Sequence, residues 1–378
     1  MRLRTAAAVA VTTTLSAGAA AVAVGRYASD AALRPVPGRP LPDEPPVTVH
    51  GADDGRITLT RTFAALRPGV YGLTGGATHA VIGPVLPDAP HPPDCVVRRL
   101  ERVTHGGLAP GDRMRITPQV HLGNPRDALG IDHADIDIPG ELGALPAWFV
   151  PGARGTWVIT VHGLGTTREH PMVIMPFLHR QRFPVLDVAY RGDLGAPRTG
   201  DGLAHFGACE WRDLDAAIRY AVRYGAQRVI LYGWSTGAAM ALRAAAESAL
   251  RQHLSGLVLD SPVLDWQATL RALAGRRVPS FLLPLAVRAA QGRTGLHGHG
   301  RHPAGLPRFD AAGLTLPTLL LHGPDDTVAS WDLSRRLAAD RPDLVTLHTV
   351  RQAPHGAMWN ADPQRYEEAL RRFLTPLM

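Results

Sequence analysis

Residues 228–237 read RVILYGWSTG, and this stretch decides the fold. A short apolar run leads without a break into the pentapeptide GWSTG, and an alanine-rich helical pattern follows from residue 237 to about residue 251. The pentapeptide has the pattern G-x-S-x-G, in which a sharp turn exposes the serine hydroxyl and the glycines let strand and helix backbones approach closely. Chance alone gives this pattern in roughly one chain in ten of this composition, so the strand–turn–helix setting carries the prediction that Ser235 is a nucleophile.

Short, continuous apolar runs recur on both sides of this stretch. They cover residues 156–161, 184–190, 228–233, 256–261, 317–323 and 345–350. Runs without polar alternation are typical of strands covered on both faces, as in a parallel sheet. Helical patterns separate them at residues 208–224, 237–251 and 363–374, and residues 134–150 look like an antiparallel strand pair. This alternation predicts an α/β fold with a mostly parallel, doubly wound sheet over residues 131–378.

A serine hydroxyl needs a base to activate it, and the base needs an acid to orient it. The segment RQAPHGAMWN near the C-terminus offers His355 as the base. The segment LLLHGPDDTV follows a predicted strand and offers Asp325 and Asp326 as the acid. Asp260, which follows the preceding strand, is a third and weaker candidate.

In this chain order of serine, acid and histidine, residues 133–378 resemble the α/β-hydrolase superfamily, and among its members the serine aminopeptidase-like and prolyl-oligopeptidase-like hydrolases. In such families the acid lies three residues after the glycine of an H-G-x-x-D turn. That correspondence maps Gly323 to Asp326 and favours Asp326 over its neighbour. The base commonly sits in a G-H-G turn, and the Pro354-His355-Gly356 turn departs from this only slightly.

The resemblance also implies where the oxyanion of the reaction is held. The loop after residue 161 reads His162-Gly163-Leu164-Gly165 and is similar to the H-G-x-G turn of the family. The backbone N–H groups of Leu164 and of Thr236, the residue after the serine, are therefore expected to form the oxyanion hole. His162 itself is interpreted as a structural residue that bonds to the loop.

One connection in the catalytic part is too long for a simple crossover. About 50 residues separate two of the predicted strands, and residues 265–313 are interpreted as a helical lid, with ordinary helical packing as the alternative. Its apolar segment contains Phe281, Leu282 and Leu285, which are predicted to contact the acyl chain of a substrate.

The first 130 residues divide into three parts. Arg2 and Arg4 precede an uncharged stretch over residues 5–25, so residues 1–34 are interpreted as a cleaved signal peptide or a transmembrane anchor, with a cytosolic tail as the alternative. Either of the first two would place the catalytic part outside the cytoplasm, and the anchor would associate it with the membrane. Residues 35–47 form a proline-rich linker, and residues 48–130 contain short β-like runs that predict a small β-rich module.

Composition excludes several classes of function. The 378 residues carry a net charge of +7, and all 40 basic residues are arginine, but they are scattered and only 6% of residues are aromatic, which argues against nucleic acid as a partner. Two cysteines, Cys95 and Cys209, cannot form a disulfide framework or a four-cysteine zinc site, and whether they pair stays open. The residues His297, His299 and His302 form a cluster without a carboxylate, so no metal is expected there.

These observations predict a serine hydrolase that cleaves a carboxylic ester, thioester or amide through an acyl-enzyme on Ser235 and needs no cofactor. A serine peptidase and an acyltransferase are the enzymatic alternatives, and a non-catalytic binding protein is disfavoured because all three triad residues are present. The expected substrate is a small-molecule or lipidic acyl compound or a short peptide. Haloalkane dehalogenase and epoxide hydrolase chemistry are excluded, because both need a carboxylate where Ser235 stands.

Overall fold

A computed structural model of the protein describes residues 22–30, 32–41, 44–294 and 311–378. The N-terminal part is a closed barrel in which all neighbouring strands are antiparallel, in the order β1-β2-β5-β4-β3-β6. Its strands are β1 (Val47–Asp53), β2 (Arg56–Thr60), β3 (Tyr71–Gly75), β4 (Thr78–Val85), β5 (Cys95–His105) and β6 (Arg113–Thr117), with helix α1 (Phe63–Leu66) between β2 and β3. Alternate apolar side chains fill its interior, including Val49, Ile57, Leu73, Ile82 and Met114. The predicted β-rich module is therefore a barrel with a core of its own.

The second part contains an eight-stranded sheet in the order β14-β13-β12-β11-β9-β10-β8-β7. Its strands are β7 (Ala134–Pro139), β8 (Ala144–Val150), β9 (Thr156–Val161), β10 (Val185–Val188), β11 (Arg228–Trp234), β12 (Leu254–Asp260), β13 (Thr318–His322) and β14 (Val345–Thr349). Strands β9 to β14 run parallel to one another, whereas β8 pairs antiparallel with β10 and β7 with β8. The predicted antiparallel pair and the parallel core strands are both present.

Helices cover the two faces of this sheet because the strands are apolar on both sides. The face that Trp157, Ile159 and Val161 point to is covered by α4 (Trp211–Arg223), α5 (Thr236–Glu247) and α8 (Trp331–Asp340). The opposite face, which Val158 points to, is covered by α3 (Met175–Arg180) and α10 (Pro363–Leu374). Two short helices, α2 (Pro125–Leu129) and α9 (Met358–Ala361), lie outside these layers in the chain.

The barrel docks on the segment that follows the predicted base. The N–H of Val70 donates to the carbonyl of Asn360 at 2.8 Å, and the Asn360 side chain donates to the carbonyl oxygens of Val70 and Pro118 at 2.9 and 3.0 Å. At Gly69 a Cβ atom would come within 1.9 Å of the Asn360 carbonyl oxygen, so only glycine permits this approach. The barrel is thus fixed beside the loop that carries His355.

The predicted lid contains two helices, α6 (Trp266–Ala274) and α7 (Leu283–Thr294). Residues 22–30 are helical and pack against them, with Ala28 buried between Ala274 and Ala286. Asp30 forms an ion pair with Arg293 at 2.6 Å. The remaining part of the insertion up to residue 310, which includes the cluster His297, His299 and His302, lies outside the described residues.

The prediction of a transmembrane helix has to be corrected. Among the residues that the structure describes, no helix is long and apolar enough to cross a membrane. The prediction is therefore wrong for residues 22–25 of the expected span, and residues 5–21 lie outside the described part of the chain. The described helical segment is short, and it packs on the lid helices through small side chains.

Candidate active site

Ser235 lies at the turn between β11 and α5, and its backbone is strained. It has φ +54° and ψ −115°, a conformation that residues other than glycine rarely adopt. The neighbouring glycines make the turn possible. A Cβ atom on Gly237 would come within 2.3 Å of the Val161 carbonyl oxygen, and one on Gly163 would come within 2.7 Å of the Ser235 Cβ. The predicted turn is therefore present, and its glycines are required by close backbone contacts.

Three predicted site residues come together at the carboxyl ends of the parallel strands. The Ser235 hydroxyl lies 2.7 Å from Nε2 of His355, so it can donate its proton to that nitrogen. On the other side of the ring, Nδ1 of His355 donates to Oδ2 of Asp326, also at 2.7 Å. All three residues are buried. The serine, the histidine and the acid thus form one hydrogen-bonded line.

The carboxylate of Asp326, the acid in this line, is surrounded by hydrogen-bond donors. The backbone N–H groups of Val328 and Ala329 donate to its Oδ1 at 2.8 and 2.9 Å, and Nε2 of His322 donates to its Oδ2 at 3.0 Å. Burial alone would raise the pKa of Asp326, but His355 and the hydrogen bonds hold that pKa well below its ordinary value. The carboxylate therefore stays ionised beside His355.

The two other acids considered from the sequence have different partners. Asp325 accepts a hydrogen bond from the backbone N–H of Gln352 at 2.7 Å. Asp260 is fully buried and accepts hydrogen bonds from the hydroxyls of Ser261 and Tyr366 at 2.7 and 2.9 Å. Burial raises the pKa of Asp260 to about 7. Neither acid is the partner of His355 in this structure.

The loop expected to hold the oxyanion lies directly against the serine. Leu164 lines a small space together with Ser235, and Thr236 begins α5, where the first backbone N–H groups lack partners within the helix. His162 holds this loop, since its Nδ1 lies 2.9 Å from the Gly163 carbonyl oxygen and its Nε2 lies 2.8 Å from Oδ2 of Asp193. Although burial disfavours the imidazolium, the Asp193 carboxylate raises the pKa of His162.

Two further residues hold the turn that carries His355, and sequence reasoning missed both. Nε2 of His170 donates to the carbonyl of Gly356 at 2.9 Å, and the Gly356 N–H donates to the Ser261 hydroxyl at 3.1 Å. Burial lowers the pKa of His170 to about 3, so its ring is neutral. No local motif marks either residue, because each reaches Gly356 from a distant part of the chain. His322, also missed, had a signal: it is the histidine of the H-G-x-x-D turn.

The predicted proline-rich linker is not a free linker, and its first part covers the serine. We call residues 34–41 the N-terminal strap. A Cβ atom on Gly165 would come within 2.3 Å of the Arg39 carbonyl oxygen, so the strap backbone touches the candidate oxyanion loop. Pro40 and Leu41 line the space over Ser235, which has a volume of only about 10 Å³. That volume holds about one water molecule, so a substrate requires the strap to shift.

The predicted lid residues are not brought to this site. Phe281 is 76% exposed, and neither it nor Leu282 nor Leu285 lines the space over Ser235 or the cavity between His355 and Tyr71. The buried face of α7 consists of other positions, Ala286, Val287, Ala290 and Thr294. The apolar surface of the lid packs on the N-terminal helical residues and on α6, which accounts for the difference from the prediction.

One group of side chains in the described part of the chain has the composition of a metal site. His205, Cys209 and Glu210 place their ligand atoms within 4.8 Å of one another. The Glu210 carboxylate, however, accepts hydrogen bonds from the backbone N–H groups of His205 and Gly207 at 2.6 and 3.0 Å. Burial raises the pKa of the Cys209 thiol to about 12, which disfavours the thiolate that a metal needs. The group fits a role in holding this loop.

Comparisons with known proteins agree with the fold described above. Residues 156–283 match the family model described as the alpha/beta hydrolase fold, and residues 48–117 match a domain of unknown function, DUF8805. Comparison with curated proteins finds no match.

Solved structures give the same result for the fold. An esterase of Pyrococcus furiosus, Pf2001, is similar in two of its crystal forms, with TM-scores of 0.52 and 0.54 and identities of 19% and 21%. Each alignment covers 68% of this chain, and 94% and 95% of the esterase. The fold prediction is thereby confirmed, while the predicted aminopeptidase-like subfamily stays a prediction. The C-terminal part of the chain therefore has the α/β-hydrolase fold.

Proposed function

We propose that the chain is a serine hydrolase that cleaves a carboxylic ester, thioester or amide through an acyl-enzyme on Ser235. The observation that carries the proposal is the line of hydrogen bonds from Ser235 Oγ to His355 and from His355 to Asp326, both at 2.7 Å. A serine hydroxyl becomes nucleophilic when an adjacent base takes its proton in the transition state. The strained turn supports the same role, because it presents the hydroxyl at the end of β11.

Acylation begins when Ser235 Oγ attacks the carbonyl carbon and its proton passes to Nε2 of His355. The carbonyl π bond opens, and its electron pair becomes the oxyanion, which the N–H groups of Leu164 and Thr236 stabilise. Asp326 stabilises the resulting imidazolium and keeps Nδ1 protonated. When the tetrahedral intermediate collapses, the bond to the leaving group breaks and Nε2 of His355 returns the proton to that group.

Deacylation repeats these steps with water. Nε2 of His355 takes a proton from the water, whose oxygen attacks the acyl carbon and forms a second tetrahedral intermediate. Collapse breaks the bond to Ser235 Oγ, which receives the proton back from His355. The products are a carboxylic acid and the free enzyme, so neither an oxidant nor a cofactor takes part.

A panel of substrates with one acyl group tests the proposal. The acetyl ester, thioester and amide of one aromatic leaving group are compared for the wild type, Ser235→Ala and the control Ser255→Ala, whose serine lies on β12 away from the site. Ser235→Ala is expected to lower kcat by roughly 10,000-fold on whichever member is cleaved, and the control to leave it unchanged. Full activity in Ser235→Ala, or a folded wild type that cleaves no member, would overturn the proposal.

A further inference from the structure

Apolar side chains from the segments that follow four neighbouring strands form one buried cluster beside the candidate triad. They are Leu164 after β9, Ala239 after β11, Val263 after β12 and Val328 after β13. The N–H of Val263 donates to the Ser235 carbonyl at 3.2 Å, so the cluster adjoins the nucleophile turn. In open α/β sheets, ligands bind in the crevice outside the carboxyl ends of the strands, and this cluster lies in that crevice.

The two lid helices contribute further side chains to the same cluster, namely Trp266, Leu270, Leu273, Val287 and Ala290. The residues that follow His355 pack elsewhere, with Ala357 in the core of the barrel and Met358 in the cluster on the opposite face of the sheet. The leaving group has to lie at His355, because that histidine protonates it. The part of the substrate that meets the crevice is therefore its acyl group, and the apolar lining suits an apolar one.

The chain's own N-terminal segment occupies this crevice. Leu33 is fully buried and belongs to the same cluster, and it also lines a cavity together with Leu164. The Leu33 carbonyl accepts a hydrogen bond from the N–H of Ala204 at 2.9 Å. From Leu33 the strap runs past the candidate oxyanion loop to Leu41, which lines the space over Ser235. The segment thus covers the path from the acyl side of the site to the nucleophile.

The contacts of this segment allow it to leave. A cavity of about 390 Å³ lies between Pro35 and Pro37 of the strap and the loop at Leu203, so this stretch is not packed closely on the catalytic domain. Before the strap, the partly exposed Asp30 pairs with Arg293 of α7 at 2.6 Å. An ion pair at this degree of exposure contributes little to stability. Little packing is therefore lost when the strap moves away.

We propose that the N-terminal segment, through Leu33 and Leu41, occupies the binding crevice for an apolar acyl chain and competes with the substrate for it. The inference rests on the proposed hydrolase function. It adds the substrate class, which is esters, thioesters or amides of apolar acyl groups, and the regulation of the site by this segment. When the segment leaves, the volume that Leu33 fills becomes available to the acyl chain. Binding requires the uncovered state, so kcat/KM is proportional to the fraction of molecules that are uncovered.

Three 4-nitrophenyl esters, the acetate, the butanoate and the hexanoate, test both parts in the full chain. Leu33→Asp is expected to release the segment, because it places a charge in an apolar cluster. It should raise kcat/KM by about tenfold or more, and by a similar factor for all three esters. In this variant kcat/KM should also rise with acyl length, by up to about fourfold for each methylene that becomes buried. Val36→Asp is the matched control and should behave as the wild type, since Val36 lies in the same strap, is 55% exposed and does not line the space over Ser235.

An exchange of charges between the segment and the lid guards against a Leu33→Asp variant that fails to fold. Asp30→Arg and Arg293→Asp each break the ion pair, so each should raise kcat/KM by about threefold. The double variant pairs the two charges again in the opposite sense and should return kcat/KM to near the wild-type value. A general loosening of the lid would not be reversed in this way.

The competition is refuted if a folded Leu33→Asp and both charge variants keep the wild-type kcat/KM for all three esters. Equal values for the acetate and the hexanoate in the released enzyme would refute the apolar acyl class. Both results leave the proposed function standing, provided that Ser235 still reacts with a fluorophosphonate. If the wild type and Leu33→Asp cleave none of the esters and neither reacts with the fluorophosphonate, the proposed function fails, and this inference fails with it.

Discussion

Nε2 of His322 lies 3.0 Å from Oδ2 of Asp326, the same oxygen that receives the hydrogen bond from His355. Nδ1 of His322 in turn accepts from the hydroxyl of Ser334 at 2.7 Å, which fixes the ring. His322 therefore fixes the carboxylate of Asp326, the acid of the candidate triad, through a hydrogen bond. It touches no reacting atom, so we regard it as a positioning residue.

Replacing His322 should leave Asp326 in the chain but hold its carboxylate less firmly in place. We expect His322→Phe to lower kcat by about tenfold, because Asp326 loses one of its donors. His348→Phe, on strand β14, is the control and should leave kcat unchanged. A kcat of His322→Phe equal to that of the wild type would contradict the assignment.

Asp260 should make the protein less stable as the pH rises. Its pKa is about 7 in the folded protein and 3.8 for the free side chain, because burial disfavours the carboxylate. Between these values the unfolded chain releases the proton while the folded chain keeps it, so the free energy of unfolding falls with rising pH. Asp260→Asn does not titrate, and it should gain stability relative to the wild type across this window, by at most about 4 kcal/mol.

Urea unfolding of the wild type and Asp260→Asn at pH 4, 5.5, 7 and 8 checks this expectation. Asp187 is also buried with its pKa raised to about 7, but it is present in both proteins and cancels in the difference. A constant difference between the two proteins across the series would show that Asp260 does not titrate in this range.

A substitution at Gly237, two residues after Ser235, tests whether close backbone contacts determine the conformation of the nucleophile turn. A Cβ atom on Gly237 would meet the carbonyl oxygens of Val161 and His162 at 2.3 and 2.5 Å, and backbone cannot move aside as a side chain can. Gly237→Ala should therefore lower the free energy of unfolding by about 3 kcal/mol. Gly292→Ala is the control: its Cβ atom meets nothing within 4 Å, and in helix α7 it should stabilise by about 1 kcal/mol. Equal effects of the two substitutions would refute the argument.

The strap limits access to Ser235 through Leu41. Shortening this side chain should enlarge the space of about 10 Å³ over the serine, so Leu41→Gly should react several-fold faster with a fluorophosphonate. Val36→Gly is the matched control, because it lies in the same strap, is 55% exposed, and does not line that space. Equal labelling rates for Leu41→Gly, Val36→Gly and the wild type would show that the strap does not gate the serine.

Much of the fold and the candidate triad could be predicted from the sequence because local patterns encode them. The apolar runs indicate strands even when their neighbours in the sheet are unknown. The glycines of the turn at Ser235 can be seen directly in the sequence. The helix predicted over residues 363–374 matches α10 at both ends, since Pro363 and the amphipathic spacing mark it.

What the sequence missed depends on contacts between distant segments. His170 and Ser261 meet only at Gly356, and the cavity at Tyr71 exists only because the barrel docks beside His355. The prolines of residues 35–47 correctly excluded a helix, but they carried no information that this segment lies over the serine. The prediction for Phe281, Leu282 and Leu285 rested on apolar character alone, and that character does not decide whether a side chain reaches the site, since Phe281 is 76% exposed.

The central claim is that His355 activates Ser235, and covalent labelling tests it most directly. The full chain is treated with a fluorophosphonate, and the modified peptide is located by mass spectrometry in the wild type and in His355→Ala. The account predicts a single modification on Ser235 that is lost in a folded His355→Ala. Labelling of a different residue, or labelling of Ser235 at the wild-type rate without His355, would contradict it.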